Sequence, residues 1–425
     1  MQNRRLAQRT NRIWPTVALT AALSAQGGCF LIPTVDGMAD GGTCDGVCDI
    51  LPPDRPDADC VYNSDCPSMV CEYDSSNFMN NHCVSEDKIV YADVPGACSD
   101  TADGSKSNPV CLGSAIKIAA DNAPSKMIRL LSDNDYGTID STTTGGGFAG
   151  KSITIYGPFE PRPGIKAKSN IIHFGKQASR PGVSVSDLNT ELILDGIVLT
   201  SAALSPSGAA QCLRGASLTL RRSLIQGSKG SGIYTNRCQQ LTVDRTQVYT
   251  SMNAIRMESS IGSYRIQNSI IANNQNFSPM QSNIVLGDGS GIIQFNTITS
   301  NSANSYAGAF QNYYSNIPLI RSSLITGNLG STSQFYPQYN GYALEEVTIE
   351  PEDTIQPFSS VSLYRETPVF VDGANWDYRL ANDITTMGPN SRCCLGRAHR
   401  RNDVTIDLFG TSRSLLTDIG AVSQQ

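Results

Sequence analysis

The sequence predicts an all-β chain whose bulk is a right-handed parallel β-helix solenoid of roughly nine or ten coils, with a short N-terminal capping helix. Three observations carry that prediction. An eight-residue pattern recurs, as LILDGIVL at 192–199, LTLRRSLI at 218–225, LTVDRTQV at 241–248 and YRIQNSII at 264–271, with looser copies ending at Ile298 and Ile325. Marked on its last aliphatic residue, it returns about every 23 to 27 residues, a period that belongs to stacked repeats. Each copy holds two short strands of period two around a polar bend, with no helix-length segment. Like residues also fall at like positions. Ser223, Thr246 and Ser269 share one bend, and Asn274, Asn301 and Asn328 share another, where each amide can bond the coils above and below.

The rest of the composition agrees. A chain of 425 residues is too long for one compact core. Only 16% of residues are charged, which disfavours coiled coils and helical repeats. A net charge of −6 excludes nucleic acid as a partner, because phosphate binding needs a concentrated basic face.

In chain order, residues 1–28 read as a signal peptide. Arg4, Arg5, Arg9 and Arg12 precede an apolar stretch from Ile13 to Ala25 that is too short for a membrane span. Gly27 and Gly28 lead into Cys29, which resembles the lipobox of bacterial lipoproteins, with Gln26 where that pattern prefers Leu. Lipidation of Cys29 would leave 12 of the 13 cysteines to pair. The alternative is cleavage after Ala25. Residues 29–59 form an Asp/Pro/Gly-rich spacer in which Cys44 and Cys48 close a small loop. Residues 60–97 form a small disulfide-rich module. Few aliphatic residues lie between Cys60, Cys66, Cys71 and Cys83, so disulfides must supply what a core cannot. Of three pairings, Cys60 with Cys71 and Cys66 with Cys83 is preferred; zinc is the rival use of these thiols.

The solenoid is placed at 98–340. Cys98 and Cys111 bracket a Gly/Ser/Asn loop and are expected to pair. Leu112, Ala115, Ile116, Ala119 and Ala120 lie at helical spacing, ahead of Pro124. Cys212 and Cys238 stand close to one repeat apart, which predicts a bridge between adjacent coils. Residues 341–425 hold the last coils and a C-terminal cap, with Cys393 and Cys394 as further disulfide candidates.

Several of these segments carry a resemblance. The stretch from Cys111 to Ala120, with Ile128 to Leu130 and Asp135 to Gly137, resembles the entry of pectate-lyase-like β-helix proteins. Pro368 to Asp372, Asp377 to Leu380, Asp407 to Gly410, Arg413 and Asp418 to Ala421 look like the closing segment of bacterial surface β-helix proteins of the choice-of-anchor type. Ser423 stands near the place of that segment's usual acidic residue, and the stretch from Gly388 to Cys394 is degraded. The resemblance implies a fold and is nearly silent on activity.

Chemistry is sparse. The acid–base elements of β-helix hydrolases are missing: Asn296 and Thr297 are followed by Ile298, and His82, His173 and His399 lack the required flanks. Between 218 and 328 the acidic residues are Asp244, Glu258 and Asp288. The best enzymatic constellation is Asp195 and Asp244, two coils apart, with Arg245 and its neighbours Arg221 and Arg222. An ordinary charged strand face explains the same residues. No cofactor or metal is called for. Tyr306, Phe310, Tyr313 and Tyr314, with Phe335, Tyr336, Tyr339 and Tyr342 one coil later, form a candidate carbohydrate platform; packing of that loop is the alternative. The expected function is a non-catalytic cell-surface lipoprotein for adhesion or envelope organisation, tethered to a membrane by its lipid and possessing a carbohydrate-binding option. A divergent polysaccharide lyase or hydrolase is the alternative.

Overall fold

Inward-facing aliphatic residues stack on their equivalents one coil away, and this winds the chain. In the present computed structural model the structure describes residues 60, 62–72, 81–122, 127–161, 171–176, 179–204, 207–276, 281–304, 307–330, 333–337, 341–349, 359–365 and short stretches between 368 and 422. The expectations for residues 1–59, including Cys29, Cys44 and Cys48, and those for Cys393 and Cys394, lie outside the described residues.

Three parallel sheets form a β-solenoid of about eight turns. Within one coil the chain runs through sheet 3 (as in Gly208–Leu213), sheet 1 (Ser217–Arg221) and sheet 2 (Leu224–Gln226). Sheet 1 has twelve strands and sheets 2 and 3 have eight each. Leu199, Ile225, Val248, Ile271, Ile298, Ile325 and Ile349 are successive Cα partners in sheet 2, all at 0% exposure, so the register mark read from the sequence is a column of the core. The helix α1 (Leu112–Asp121) packs Leu112, Ala115, Ile116 and Ala119 against the first strands of sheet 1. Strand Ile89–Asp93, placed by sequence in the disulfide-rich module, pairs in parallel with Met127–Leu130 and opens sheet 1. Its apolar run Ile89 to Ala92 is a core strand, and the cysteine cluster ends before it.

The disulfides are Cys60–Cys71, Cys66–Cys83, Cys98–Cys111 and Cys212–Cys238. The last joins adjacent coils with a Cα–Cα distance of 5.4 Å, and closing its loop contributes about 3 kcal/mol.

Each turn is held at two corners. Between sheets 1 and 2 a single residue takes the left-handed conformation: Gly196, Arg222, Arg245, Asn268, Phe295, Ser322 and Glu346. Between sheets 2 and 3 the same is true of Gly227, Thr250, Asn273, Ser300 and Gly327. After most of these corners comes a residue that bonds the neighbouring coil. The backbone N–H groups of Ser251, Asn274 and Asn301 donate to the Oδ1 atoms of Asn274, Asn301 and Asn328 at 3.0, 3.1 and 3.2 Å. The Asn274 and Asn301 amides donate onward at 2.9 and 2.7 Å, and Gln334 ends the column. A second ladder runs from Ile197 N–H to Ser223, from Thr246 to Ser269, from Ser269 to Asn296 and from Asn296 to Ser323.

The expected nine or ten coils reduce to about eight, because the C-terminal residues do not continue the coil. Phe370–Asp372 and Asp377–Leu380 form an antiparallel hairpin. Tyr378, Leu408, Phe409, Ala421 and Val422 pack on the outer side of sheet 2, against Val198, Leu224, Tyr249 and Ile270. Sheet 2 is thus buried on both faces.

One core position couples two coils. Tyr264 points inward where Leu218 and Leu241 precede it, and its Cα partner one coil on is Gly291. A Cβ built on Gly291 would lie inside the Tyr264 ring. Gly291→Ala is expected to destabilise the protein by about 1–3 kcal/mol. Gly291→Ala combined with Tyr264→Leu is expected to recover most of that loss in denaturant unfolding. A double variant no more stable than the single one would refute the packing account.

Candidate functional site

Period two sends alternate residues of sheet 3 outward, and stacking lines them up along the rod. Ser184, Gln211, Tyr234, Arg256, Val285, Gln311 and Tyr336 are successive Cα partners on that outer face. Two residues further along their strands, Asn236 and Glu258 are also partners. The inward neighbours Ile233, Ile255, Ile284, Phe310 and Phe335 belong to the core.

The polar groups of this face form one network. Tyr234 donates its hydroxyl to Glu258 at 2.7 Å, and Arg256 pairs with Glu258. Arg256 Nη1 donates to Gln281 Oε1 at 3.1 Å. The Ser282 N–H donates to Gln311 Oε1 at 3.0 Å, and Gln311 also meets the Tyr313 hydroxyl. The Ser259 N–H donates to the Tyr314 hydroxyl at 3.0 Å. Tyr313, Tyr314 and Tyr336 are half-buried, each leaving part of a ring open. Burial raises the Tyr234 and Tyr313 phenols above their ordinary value; Glu258 adds to the first rise and Arg256 opposes the second. Both rings stay neutral donors at physiological pH.

The aromatic platform read from sequence therefore divides. Tyr313, Tyr314 and Tyr336 lie on the outer face. Phe310, Phe335 and Tyr342 are core residues instead: they are at most 3% exposed, and the two phenylalanine rings stack at 5.4 Å. Tyr306 and Tyr339 lie outside the described residues. Sequence reasoning missed Tyr234, Arg256, Glu258 and Gln311. Spacing did not reveal them, since Tyr234, Arg256 and Gln311 follow the sheet 2 marks Ile225, Val248 and Ile298 by 9, 8 and 13 residues.

The enzymatic candidates are closed to solvent. Arg221 is the Cα partner of Asp195 on one side and Asp244 on the other, as the repeat predicts. The exposed strand face expected there is absent: Asp195, Asp244 and Arg245 are 0%, 1% and 0% exposed. Arg222 holds Asp195 through two hydrogen bonds of 2.7 Å. Asn268 donates to Asp244 at 3.4 Å, and Arg245 Nε donates to the Leu408 carbonyl at 3.0 Å. Flanking segments cover all three, so no polysaccharide reaches them. On the sheet 3 face from Ser184 to Tyr336, Glu258 is the one carboxylate among the described residues of the two outward rows, and general acid–base cleavage of a glycoside needs two. The face can stack rings and exchange hydrogen bonds.

His173 is buried with its Nδ1 accepting the Val198 N–H at 2.9 Å and its Nε2 3.5 Å from Asp133. Compared with family models and with curated proteins, the chain matches none of them.

Two outcomes follow from these buried groups. Arg222→Met takes both guanidinium hydrogen bonds from the buried Asp195 and is expected to cost about 3–5 kcal/mol, whereas Asp195→Leu with Arg222→Met is expected to cost less. Denaturant unfolding of both variants checks this; a double variant as unstable as the single one would refute it. Desolvation lowers the His173 pKa in the fold, against the opposing pull of Asp133. The unfolded chain then takes up a proton below about pH 6.5 that the fold refuses. Stability is held above that pH and falls as the pH drops from there toward the folded pKa, by at most about 1.4 kcal/mol per unit. His173→Asn keeps an acceptor and cannot be protonated, so its stability should change less between pH 6.5 and 5. An unchanged slope would remove His173 as the cause.

Proposed function

We propose that the protein is a non-catalytic, surface-exposed rod that binds carbohydrate on the outer face of sheet 3. One observation carries this reading: the half-open rings of Tyr313, Tyr314 and Tyr336 stand on one face with the paired Arg256–Glu258 couple. Sugars present apolar ring faces edged by hydroxyls, and that is the complement of aromatic rings among fixed polar groups. The coils repeat every ~4.8 Å, so Arg256 and Tyr336, three coils apart, span roughly 14 Å and suit a chain better than a single sugar. In this reading the basic, apolar start exports the rod and Cys29 tethers it.

A glycan array with the full chain tests the proposal, and Tyr313→Ala and Tyr336→Ala should each weaken the hits about tenfold, or ~1.4 kcal/mol. In cells, Cys29→Ala should move the protein from the membrane fraction to the soluble one. Absence of any glycan above background sinks the binding reading. Cleavage of a bound polysaccharide that disappears in Glu258→Gln would make the protein an enzyme instead.

A further inference from the structure

A second face is charged and yet closed. On sheet 1 the outward column runs Tyr91, Arg129, Tyr156, Asp195, Arg221, each the Cα partner of the next, with Arg222 at the adjoining corner. Tyr91, Arg129, Tyr156, Asp195 and Arg222 are at most 2% exposed. Their cover is the cysteine-stapled segment before the solenoid. Arg222 Nη2 donates to Asn63 Oδ1 at 3.3 Å and to the Cys71 carbonyl at 3.1 Å, and Tyr91 donates to the Ser68 carbonyl at 3.2 Å.

At Arg222 and Tyr91 the rod donates and the segment accepts, while Ser64 of the segment donates its N–H and hydroxyl to Glu160 at 2.8 and 3.0 Å. The rod side holds three guanidiniums, Arg129, Arg221 and Arg222, and two carboxylates, Asp195 and Glu160, which act on Arg129. Arg129 gives Nη1 to the Gly157 carbonyl, and its Nε meets no acceptor among the described residues. Burial pulls its guanidinium down to about 10. The segment brings negative charge as well, since Glu72 acts on the Tyr156 phenol. It thus presents backbone carbonyls, an amide oxygen and a carboxylate to a donor-rich, cation-rich surface.

The segment has a covalent frame of its own. Two disulfides hold its internal fold. It lends Val70 and Val84 to the apolar cluster it shares with Ile89, Tyr91 and Tyr156. A three-residue 3-10 turn, Glu86–Lys88, joins it to the first strand of sheet 1. Such a short tether gives it an effective concentration on the order of millimolar or more, so the resting protein is closed.

We propose that this column of sheet 1 is a binding site for an acidic polypeptide segment of a partner protein, and that Asn63, Cys71 and Glu72 occupy it as a built-in competitor. The partner's carboxylates replace neutral carbonyls at Arg222 and reach the unused donor of Arg129. The site lies on a different sheet from the tyrosine face and does not depend on the carbohydrate reading.

The test uses the full chain and fluorescein-labelled hexaglutamate, followed by anisotropy at about 0.15 M salt. The opened variant combines Tyr62→Phe, Asn63→Ala and Ser64→Ala, which removes the segment's side-chain bonds to Phe409, Arg222 and Glu160 and leaves the Ser64 N–H on Glu160 and the Cys71 carbonyl on Arg222. It should bind at least about tenfold tighter than the natural protein, with raised amide exchange at 68–71 and unchanged protection in Asn253–Glu258. Adding Arg221→Gln or Arg222→Gln should return binding to the resting level. An opened segment without tighter binding overturns the proposal, as does tight binding that survives both arginine changes. A segment that stays closed here and in Cys66→Ala with Cys83→Ala, or whose opening also strips protection from sheet 3, is a permanent part of the fold and overturns it too.

Discussion

The structure depends on the hydrogen bond that each corner side chain makes to the backbone of the coil before it. A solenoid has no closed sheet to fix its register; each coil meets only its neighbours. A slip of one residue would turn every core side chain outward. The Asn274–Asn301–Asn328 ladder and its Ser/Asn counterpart at 223, 269, 296 and 323 prevent the slip, because each ladder oxygen can reach one N–H only. The ladder residues are buried, so leaving one of these N–H groups unpaired costs about 1–3 kcal/mol. Differences in coil length fall after the Asn ladder, in the turns between sheets 2 and 3: Val248 to Ile255 is 7 residues, whereas the equivalent step from Ile271 to Ile284 is 13.

The sheet 2 mark, the Asn column and the Cys212–Cys238 bridge were read from repeat spacing, because spacing is what a solenoid conserves from coil to coil. The helix at Leu112 and the other three described disulfides were read from local patterns. The left-handed corners were not read. A glycine marks this conformation at Gly196, Gly227 and Gly327, but Arg222, Arg245 and Phe295 adopt it with full side chains, ahead of the ladder residues Ser223, Thr246 and Asn296, and Glu346 adopts it ahead of the core residue Val347. The C-terminal cover was missed for a different reason, although it had left a trace. Val198 with Leu199, Leu224 with Ile225 and Ile270 with Ile271 are apolar neighbours in one strand. In a period-two element that means both faces are buried, so something had to lie over sheet 2.

The same distinction separates the two charged regions. Asp195 and Asp244 looked like an exposed enzymatic pair because their repeat positions face outward from sheet 1. Their burial depends on Arg222, Asn63, Asn268 and Leu408, and Asn63 and Leu408 come from segments that take no part in the repeat. No spacing rule within the coils could foresee that. The tyrosines divided for a reason that period two does explain. Phe310 and Tyr313 are three residues apart, an odd number, so in or next to one strand they point to opposite faces.

Stacking also restricts the chemistry that such a rod can carry. Residues in one column lie about 4.8 Å apart, and two like charges at that distance repel by roughly 3.5 kcal/mol at an effective dielectric constant of 20. The outward column of sheet 1 obeys this limit: Arg129, Tyr156, Asp195, Arg221, Asp244, Gln267, Gln294, Arg321 and Glu345 never place like charges in adjacent coils. Where the alternation lapses, two glutamines bridge it, Gln294 Nε2 donating to Gln267 Oε1 at 3.0 Å and Arg321 donating to Gln294 Oε1 at 2.6 Å. On sheet 3 Arg256 is the lone charge in its column from Ser184 to Tyr336, and its counter-ion Glu258 lies two residues along the same strand. A hydrolytic site needs the opposite arrangement, two carboxylates forced close so that one keeps its proton. The described columns of this chain keep carboxylates apart, and that economy of charge leaves the rod suited to recognition by rings and hydrogen bonds.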